Sequence, residues 1–467
     1  MNKAKYSSYK PSKTLWQKEI PRHWQETEIR MLFSENKTKN IGLVERNLLS
    51  LSYGKLKRKD IDNATGLVPA SFEGYQIIEN GYIVLRFTDL QNDKKSLRVG
   101  YANERGIITS AYVGLVPKAE IHSKYFYYQL HFLDKIKYFY NLGGGVRQSL
   151  AFKEFGRETI LVPDLAEQIS ISKYLDFKLA KTEKFIRKKK QLINLLNEQK
   201  AAIINQAVTK GLDPNVKMKD SGIEWLGEIP EHWEVWKLGR AYKYFGSGTT
   251  PSSGFSQYYE NGTIPWINTG DLNDGILYDS EKKITQTAFD DYSVLKIFPR
   301  GTLSVAMYGA SIGKISILNF EATTNQACCN FYSSSILLDK FTFLWFIANK
   351  SRIVSLSYGG TQPNISQGLI KALRIPVPSR NEQFAIIEFL EKEIYKINAT
   401  VSKVENEITL VEEYKTALIA EAVTGKIDVR GCEMMEMENE EEGFEELEEE
   451  LSIAAEDAVN YESEESV

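Results

Sequence analysis

The stretch "SKTLWQKEIPRHW" (Ser12–Trp24) returns 209 positions later as "SGIEWLGEIPEHW" (Ser221–Trp233). Seven of the thirteen positions are identical, among them both tryptophans, the Glu-Ile-Pro and the histidine. A second pair of matches lies at an offset of 215. "LVPDLAEQ" (Leu161–Gln168) aligns with "PVPSRNEQ" (Pro376–Gln383), and "AAIINQAVT" (Ala201–Thr209) with "TALIAEAVT" (Thr416–Thr424). An internal repeat decides the architecture before any single motif does. The chain is two half-units, each a variable globular segment followed by a more similar helix.

Periodicity carries the helix assignment. Ile394, Ile397, Val401, Val404, Ile408, Val411, Lys415, Leu418 and Ala422 follow three- and four-residue steps, a heptad seam with one polar interruption. The first half matches with Leu179, Thr182, Ile186, Lys189, Ile193, Leu196, Lys200, Ile203 and Ala207, with more polar interruptions. Each helix opens on a capping box, Asp164 with Glu167 and Ser379 with Glu382, just after a Val-Pro that ends an extended segment. From box to "AVT" is about 45 residues, about 60–70 Å of helix. Two such seams pair most simply with each other, antiparallel if the halves are related by a pseudo-twofold axis. The alternative is that each packs on its own globular segment. The basic run "RKKKQ" (Arg187–Gln191) reads first as a solvated face.

The globular segments read as mixed α/β. "GYIVLRFTDL" and "AYVGLVP" alternate like strands, and "SKYFYYQLHFLDKIKYFYNL" has helical spacing. The second half keeps the order with "GTLSVAMYG", "KISILNF" and the helical "DKFTFLWFIANKSRIVSLSY". A Gly-rich polar stretch follows each helix, "GGGVRQSL" and "GGTQPNIS".

At 467 residues several domains are expected. No apolar run is long enough to span a membrane, and the N-terminus lacks a secretory h-region. Cys328, Cys329 and Cys432 make no disulfide framework, so a reducing cytoplasm is the expected compartment. The net charge of −4 conceals a division. The segment Glu433–Val467 holds sixteen acids and no Lys or Arg. Without it, residues 1–432 carry 58 Lys and Arg against 46 Asp and Glu, a net charge of +12. A basic body of that size suits a polyanionic partner.

Catalytic motifs do not stand out. "YGASIGKIS" (Tyr308–Ser316) superficially suggests a phosphate loop. Its glycines are too close, and Ile315 stands where a magnesium-binding hydroxyl is needed, so it reads as a loop between strands. His23, His122, His131 and His232 have no metal-ligand spacing. His23 and His232 sit at equivalent positions beside Trp24 and Trp233, which argues for packing or capping.

Several of these stretches resemble the specificity subunit of type I restriction–modification systems: "SGIEWLGEIPEHW", "GTTPSSGFSQYYENGTIPWINTGDL", "ASIGK" with "TTNQA", "GGTQPNIS" and "IPVPSRNEQFAIIEFL". The first half carries "ERGIITSAYVGL" and "VPDLAEQISISKYLD" in corresponding places. The resemblance covers roughly residues 10–428. It implies α/β (α+β) target recognition domains, two per chain, separated by two long antiparallel coiled-coil helices in a pseudo-twofold internal repeat. On that basis residues 1–163 form the first recognition domain, 164–210 the first spacer helix, 211–378 the second domain and 379–425 the second spacer helix. Residues 426–467 are an acidic tail outside the resemblance, expected to be disordered.

The resemblance implies a non-catalytic subunit in which each domain reads half of a bipartite, asymmetric double-stranded DNA target. The helices set the spacer, about one helical turn or 34 Å, and dock two modification (methyltransferase) subunits. Restriction (translocase/nuclease) subunits complete the complex, which methylates adenine or cleaves unmodified DNA. S-adenosylmethionine, ATP and magnesium are expected on those partners, and no cofactor on this chain. Phosphate contacts fall to Lys and Arg, and base reading to polar and aromatic loop residues. The candidates in the first domain are Lys55, Lys57, Arg58, Lys59, Thr109, Ser110, Tyr112, Arg147 and Gln148. In the second they are Thr249, Thr250, Ser252, Ser253, Tyr258, Lys314, Asn325, Gln326, Gln362 and Asn364.

Overall fold

The computed structural model describes residues 4–62, 71–88, 90, 97–118, 120–142, 149–357 and 364–431. They form two compact units. The first takes the chain up to Lys189 and again from Asn406; the second runs from Lys190 to Glu405. Two helices, Leu165–Lys210 and Arg380–Val423, each give one stretch to each unit.

The two units repeat the same core elements in the same order. Unit 1 opens with an antiparallel ribbon of Tyr9–Pro11 and Glu19–Pro21, and unit 2 with Met218–Asp220 and Glu228–Pro230. Next, Gln25–Glu28 pairs with Thr159–Val162, as Glu234–Lys237 does with Arg374–Val377. The main sheet of unit 1 runs in the spatial order Phe33–Glu35, Val113–Pro117, Ile83–Leu85, Val99–Tyr101. Unit 2 has the same order in Tyr244–Gly246, Cys328–Tyr332, Leu303–Ala306, Ile315–Leu318, and adds Ile276–Leu277 at the edge. A helix covers each sheet, Ser123–Lys135 in unit 1 and Asp339–Ser355 in unit 2. The aromatic run of unit 1 therefore leaves the helix at Ile136, and Lys137 turns left-handed at φ 62° before a short 3-10 turn.

The helices pair antiparallel within each unit. In unit 1, Glu183 lies 3.7 Å from Lys415, and Lys189 lies 2.8 Å from Glu407. In unit 2, the Lys200 ammonium donates to Asn398 Oδ1 at 3.1 Å. The three lysines interrupting the seam thus find partners on the opposite helix, while the Thr182 hydroxyl donates to Leu179 O of its own helix at 3.0 Å. All of the proposed seam residues are covered, with Ile186, Ile397, Val404 and Leu418 fully buried. Leu179, Ile193, Leu196, Ile203, Ile394, Val401, Ile408 and Val411 are half-buried. In "RKKKQ" only Lys189 is half-buried, and its neighbours face solvent.

The repeated phrase grips helix ends. In unit 1, His23 Nε2 lies 2.8 Å from Glu167 on the first turn of the first helix. In unit 2, His232 Nε2 lies 2.6 Å from Glu382 on the first turn of the second. Each phrase also receives the end of the other helix. Gly425, at φ 70°, leaves the second helix so close to Pro21 and Trp24 that an added Cβ would sit 2.4 Å from Pro21 Cδ. Gly211, at φ 80°, leaves the first helix against Trp233, where a Cβ would stand 3.2 Å from the ring. Left-handed glycines are the expected stop signals after a helix.

The boxes themselves differ. Ser379 and Glu382 form the full reciprocal pair, at 2.9 Å and 3.3 Å. Asp164 caps Glu167 N at 2.8 Å, but the Glu167 carboxylate is buried and turns to Tyr6 and His23 instead.

Burial alone would raise the Glu382 carboxyl. Hydrogen bonds from His232, Ser379 and Trp233 outweigh it and bring the group from 4.5 down to about 2. A depressed carboxyl stabilises the fold fully above its unfolded value, and the contribution is lost as pH falls through the folded one. Glu382→Gln is therefore expected to flatten the part of the acid-unfolding curve between about pH 4.5 and pH 2. Unit-2 fluorescence in acid titrations measures this; an unaltered curve would show that the carboxylate contributes nothing there.

Candidate nucleic-acid interface

In unit 2 the sheet gathers most of the candidate residues at one end. Tyr244–Gly246 leaves the sheet there, Cys328–Tyr332 enters it, and Leu303–Ala306 connects to Ile315–Leu318. The loop after Gly246 carries Thr249, Thr250, Ser252 and Ser253. The turn before Cys328 carries Asn325 and Gln326. The connection Met307–Lys314 carries Lys314, and Asn364 bridges to Tyr308 within it. Met307 N donates to Ala327 O at 2.8 Å, and Ile365 N to Met307 O at 2.7 Å, which ties these segments together.

Gly248 is the reason the first loop lies where it does. A Cβ there would fall 1.7 Å from the Thr324 carbonyl oxygen, so only glycine permits this approach. The contact brings the Thr250 hydroxyl to donate to Gln326 Oε1 at 2.7 Å. Gln326, Thr250, Ser252, Ser253 and Asn364 are exposed. Asn325 and Thr249 serve the loops themselves: Asn325 Oδ1 accepts Ala327 N at 3.0 Å, and Thr249 O accepts Trp266 Nε1 at 3.0 Å. Tyr258 stands apart in a 3-10 turn, its hydroxyl donating to Asp291 at 3.1 Å; the neighbouring Phe255 ring is 56% exposed on the same loop.

In unit 1, Thr109–Tyr112 form the turn before Val113–Pro117, the counterpart of Asn325–Ala327. Tyr112 N donates to Thr109 O at 3.2 Å, Gln76 Nε2 donates to Tyr112 O at 2.6 Å, and Ser110 is exposed at the apex. Lys55–Lys59 is an edge strand, joined to Leu48–Ser52 through Tyr53 and Gly54 at φ 48° and 77°. Two of its cations are engaged inside the unit: Lys55 pairs with Glu183 at 3.0 Å, and Arg58 with Glu104. Lys57 and Lys59 are exposed with no ion-pair partner among the described residues. Arg147, Gln148 and Gln362 lie outside the described residues.

Sequence reasoning missed the counterpart of that strand. Lys282–Ile284 is also an edge strand, antiparallel to Ile264–Ile267, which pairs parallel with Thr323–Thr324 just as Leu48–Ser52 pairs with Gly106–Ile108. Its Lys282 and Lys283 are exposed. Their signal is positional, because the two strands share no sequence pattern beyond lysine. Tyr308–Lys314 is a loop between strands, as its spacing implied, with Gly309 and Gly313 at φ 82° and 76°, and Ile315 and Ser316 already belong to the next strand. Burial pushes the Cys328 and Cys329 thiols up to about 12. No described helix is long and apolar enough to cross a membrane.

The chain is similar to known proteins in sequence and in fold. Residues 230–410 match the type I restriction modification DNA specificity domain. The chain is similar to specificity subunits of type I restriction enzymes. It is 26% identical over 234 residues to one from Escherichia coli, covering 49% of this chain and 57% of that protein. It is 27% identical over 347 residues to the MjaVIII specificity subunit of Methanocaldococcus jannaschii, covering 71% of this chain and 76% of that one. A solved chain from work on complex assembly and conformational transition of the type I R-M system superposes with a TM-score of 0.62. It covers 87% of this chain and 99% of its own at 13% identity, a likeness of fold.

Proposed function

We propose that this chain is the DNA-binding specificity subunit of a type I restriction–modification complex, with each unit reading one half of a bipartite asymmetric target. The observation that carries the reading is the duplication itself. The same sheet end, with polar loops in equivalent places, occurs twice on units that share two antiparallel helices. Duplicated units with divergent loops can read unlike half-sites, while the helices keep the separation constant. The chain then needs no catalytic group of its own. Adenine methylation and ATP-driven cleavage belong to modification and restriction subunits that bring S-adenosylmethionine, ATP and magnesium.

The test is a genome-wide map of N6-methyladenine in cells expressing this chain with its modification subunit, against cells lacking only this chain. A split motif methylated in both halves, present only in the first map, is the expected result; identical maps would reject the reading. A narrower expectation concerns the edge strand of unit 1. Lys57→Ala with Lys59→Ala should lower the slope of log affinity against log salt by about two, without changing the motif. Fluorescence anisotropy over a salt series measures it, and an unchanged slope would remove both lysines from the interface.

A further inference from the structure

The repeat is faithful in fold but not in charge, and the difference falls on its opening ribbon. Residues 8–24 of unit 1 carry Lys10, Lys13, Lys18 and Arg22 against one acid, Glu19. The equivalent residues 217–233 of unit 2 carry Lys217 and Lys219 against Asp220, Glu224, Glu228 and Glu231. Arg22 stands where unit 2 has Glu231, and Lys13 and Lys18 where it has Gly222 and Gly227. Both ribbons have the same strand register, so the backbone does not demand the difference. Lys13, Lys18 and Arg22 are exposed, with no ion-pair partner among the described residues. Between them Leu15 is 92% exposed, an apolar side chain at the tip of a cationic ribbon, where unit 2 has Glu224.

Chain connectivity distinguishes the two ribbons in the same way. The first long helix ends on Trp233 and runs straight on into the ribbon of unit 2. The second ends on Trp24 and Pro21, beside the ribbon of unit 1, and the chain then continues into its acidic segment. The described end of the chain is fastened there. Ile427 and Val429 lie in the same core as Ile20 and Trp24, Asp428 N donates to Ala4 O at 2.9 Å, and the Arg430 guanidinium lies 5.0 Å from the Tyr6 ring centre. Lys5 and Lys426 add two more exposed cations.

We propose that the acidic segment Glu433–Leu451 docks on the basic ribbon of unit 1. Its composition fits that surface. "FEELEEEL" (Phe444–Leu451) interleaves Phe444, Leu447 and Leu451 with five glutamates, matching a ribbon that offers Lys13, Lys18 and Arg22 around an uncovered leucine. Reach is ample, since thirteen residues from Gly431 to Phe444 span up to about 45 Å when extended. The contact hides cations that would otherwise hold nucleic acid without regard to sequence. The ribbon of unit 2 sets four acids against its two lysines, so it has no net positive charge to hide. The proposal is independent of the function proposed above, because it concerns two parts of one unit.

Carbodiimide coupling joins a carboxylate directly to an amine, and mass spectrometry of the coupled full-length chain at low salt locates the joins. Tail glutamates are expected to couple chiefly to Lys5, Lys13, Lys18 and Lys426. Coupling should fall about tenfold or more in 1 M salt, where charges further than about 3 Å apart are screened. In the charge-reversed chain (Lys13→Glu, Lys18→Glu, Arg22→Glu) coupling to Lys5 and Lys426 should fall likewise. All three side chains are exposed, so the fold is expected to survive, and circular dichroism checks that. Tail joins spread evenly over unit-2 lysines such as Lys217 and Lys219, or no tail joins, would overturn the proposal. So would a charge reversal that lowers DNA affinity equally in the full chain and in a chain ending at Gly431, because the ribbon would then serve DNA and not the tail.

Discussion

Trp233→Ala is expected to destabilise unit 2 by about 3–5 kcal/mol, the range for deleting a large buried aromatic. Its ring is 1% exposed and packs in the core with Ile204, Ala207 and Val208 of the first helix and Ile386, Ile387 and Leu390 of the second. The indole N–H donates to Glu382 Oε1 at 3.2 Å, and the ring edge lies against Gly211. One side chain therefore holds the end of one helix and the start of the other. Hydrogen exchange should show the loss of protection over Ile229–Val377, with the sheet of unit 1 unaffected. Equal loss in both units would mean that they do not unfold separately.

The equivalent tryptophan supplies a sharper comparison. Trp24 is as deeply buried, but its N–H has no hydrogen-bond partner among the described residues, because Tyr6 occupies the Glu167 carboxylate at 2.6 Å. Replacement by phenylalanine removes the pyrrole part of the indole and its N–H at both buried sites, so the losses of volume match and the difference isolates the hydrogen bond. Trp233→Phe should therefore cost about 1.5–3 kcal/mol more than Trp24→Phe, the value of a hydrogen bond to a charged group. Similar costs at the two positions would show that the Glu382 contact carries no net stabilisation.

These asymmetries mark what the sequence could and could not convey. The heptad steps from Leu179 and Ile394 identify both long helices, because burial along a helix face imposes its period on the residues. The periodicity does not tell which residue answers Lys189 or Lys200, since Glu407 and Asn398 lie some two hundred positions away. The spacing of Asp164 and Glu167 fits a capping box, yet a tyrosine far upstream claims the carboxylate. The same distance problem governs the candidate interface. Thr250 and Gln326 were each legible as polar loop residues, but their meeting depends on Gly248 and Thr324, which no local pattern joins. Lys55 and Arg58 were legible as cations; that Glu183 and Glu104 engage them became visible only with the fold.

Gly248→Ala is expected to abolish specific DNA binding while leaving unit 2 folded. The added Cβ would meet three atoms of the Thr324 backbone, at 1.7, 2.6 and 3.1 Å. Thr324 is a buried strand residue paired with Ile267, so it cannot retreat, and the loop bearing Thr249–Ser253 must lift instead. Lifting it breaks the Gly248 N–H bond to Thr324 Oγ1 at 3.3 Å and parts Thr250 from Gln326. Overpacking of this kind costs about 1–3 kcal/mol, and it falls on a loop at the sheet's end rather than on the core. If that end reads one half-site, affinity for the full target should drop toward the non-specific level, a loss of about a thousandfold or more. On the proposed reading, in which binding needs both half-sites, methylation should then disappear from both halves of the motif. Gly254→Ala is the matched control. It lies in the same loop with only Ser252 Oγ near, at 3.9 Å, and should bind as the native chain does. Anisotropy with target and scrambled duplexes separates the outcomes: native affinity in the Gly248 variant, with its thermal unfolding intact, would place the reading surface of unit 2 elsewhere than at this end of the sheet.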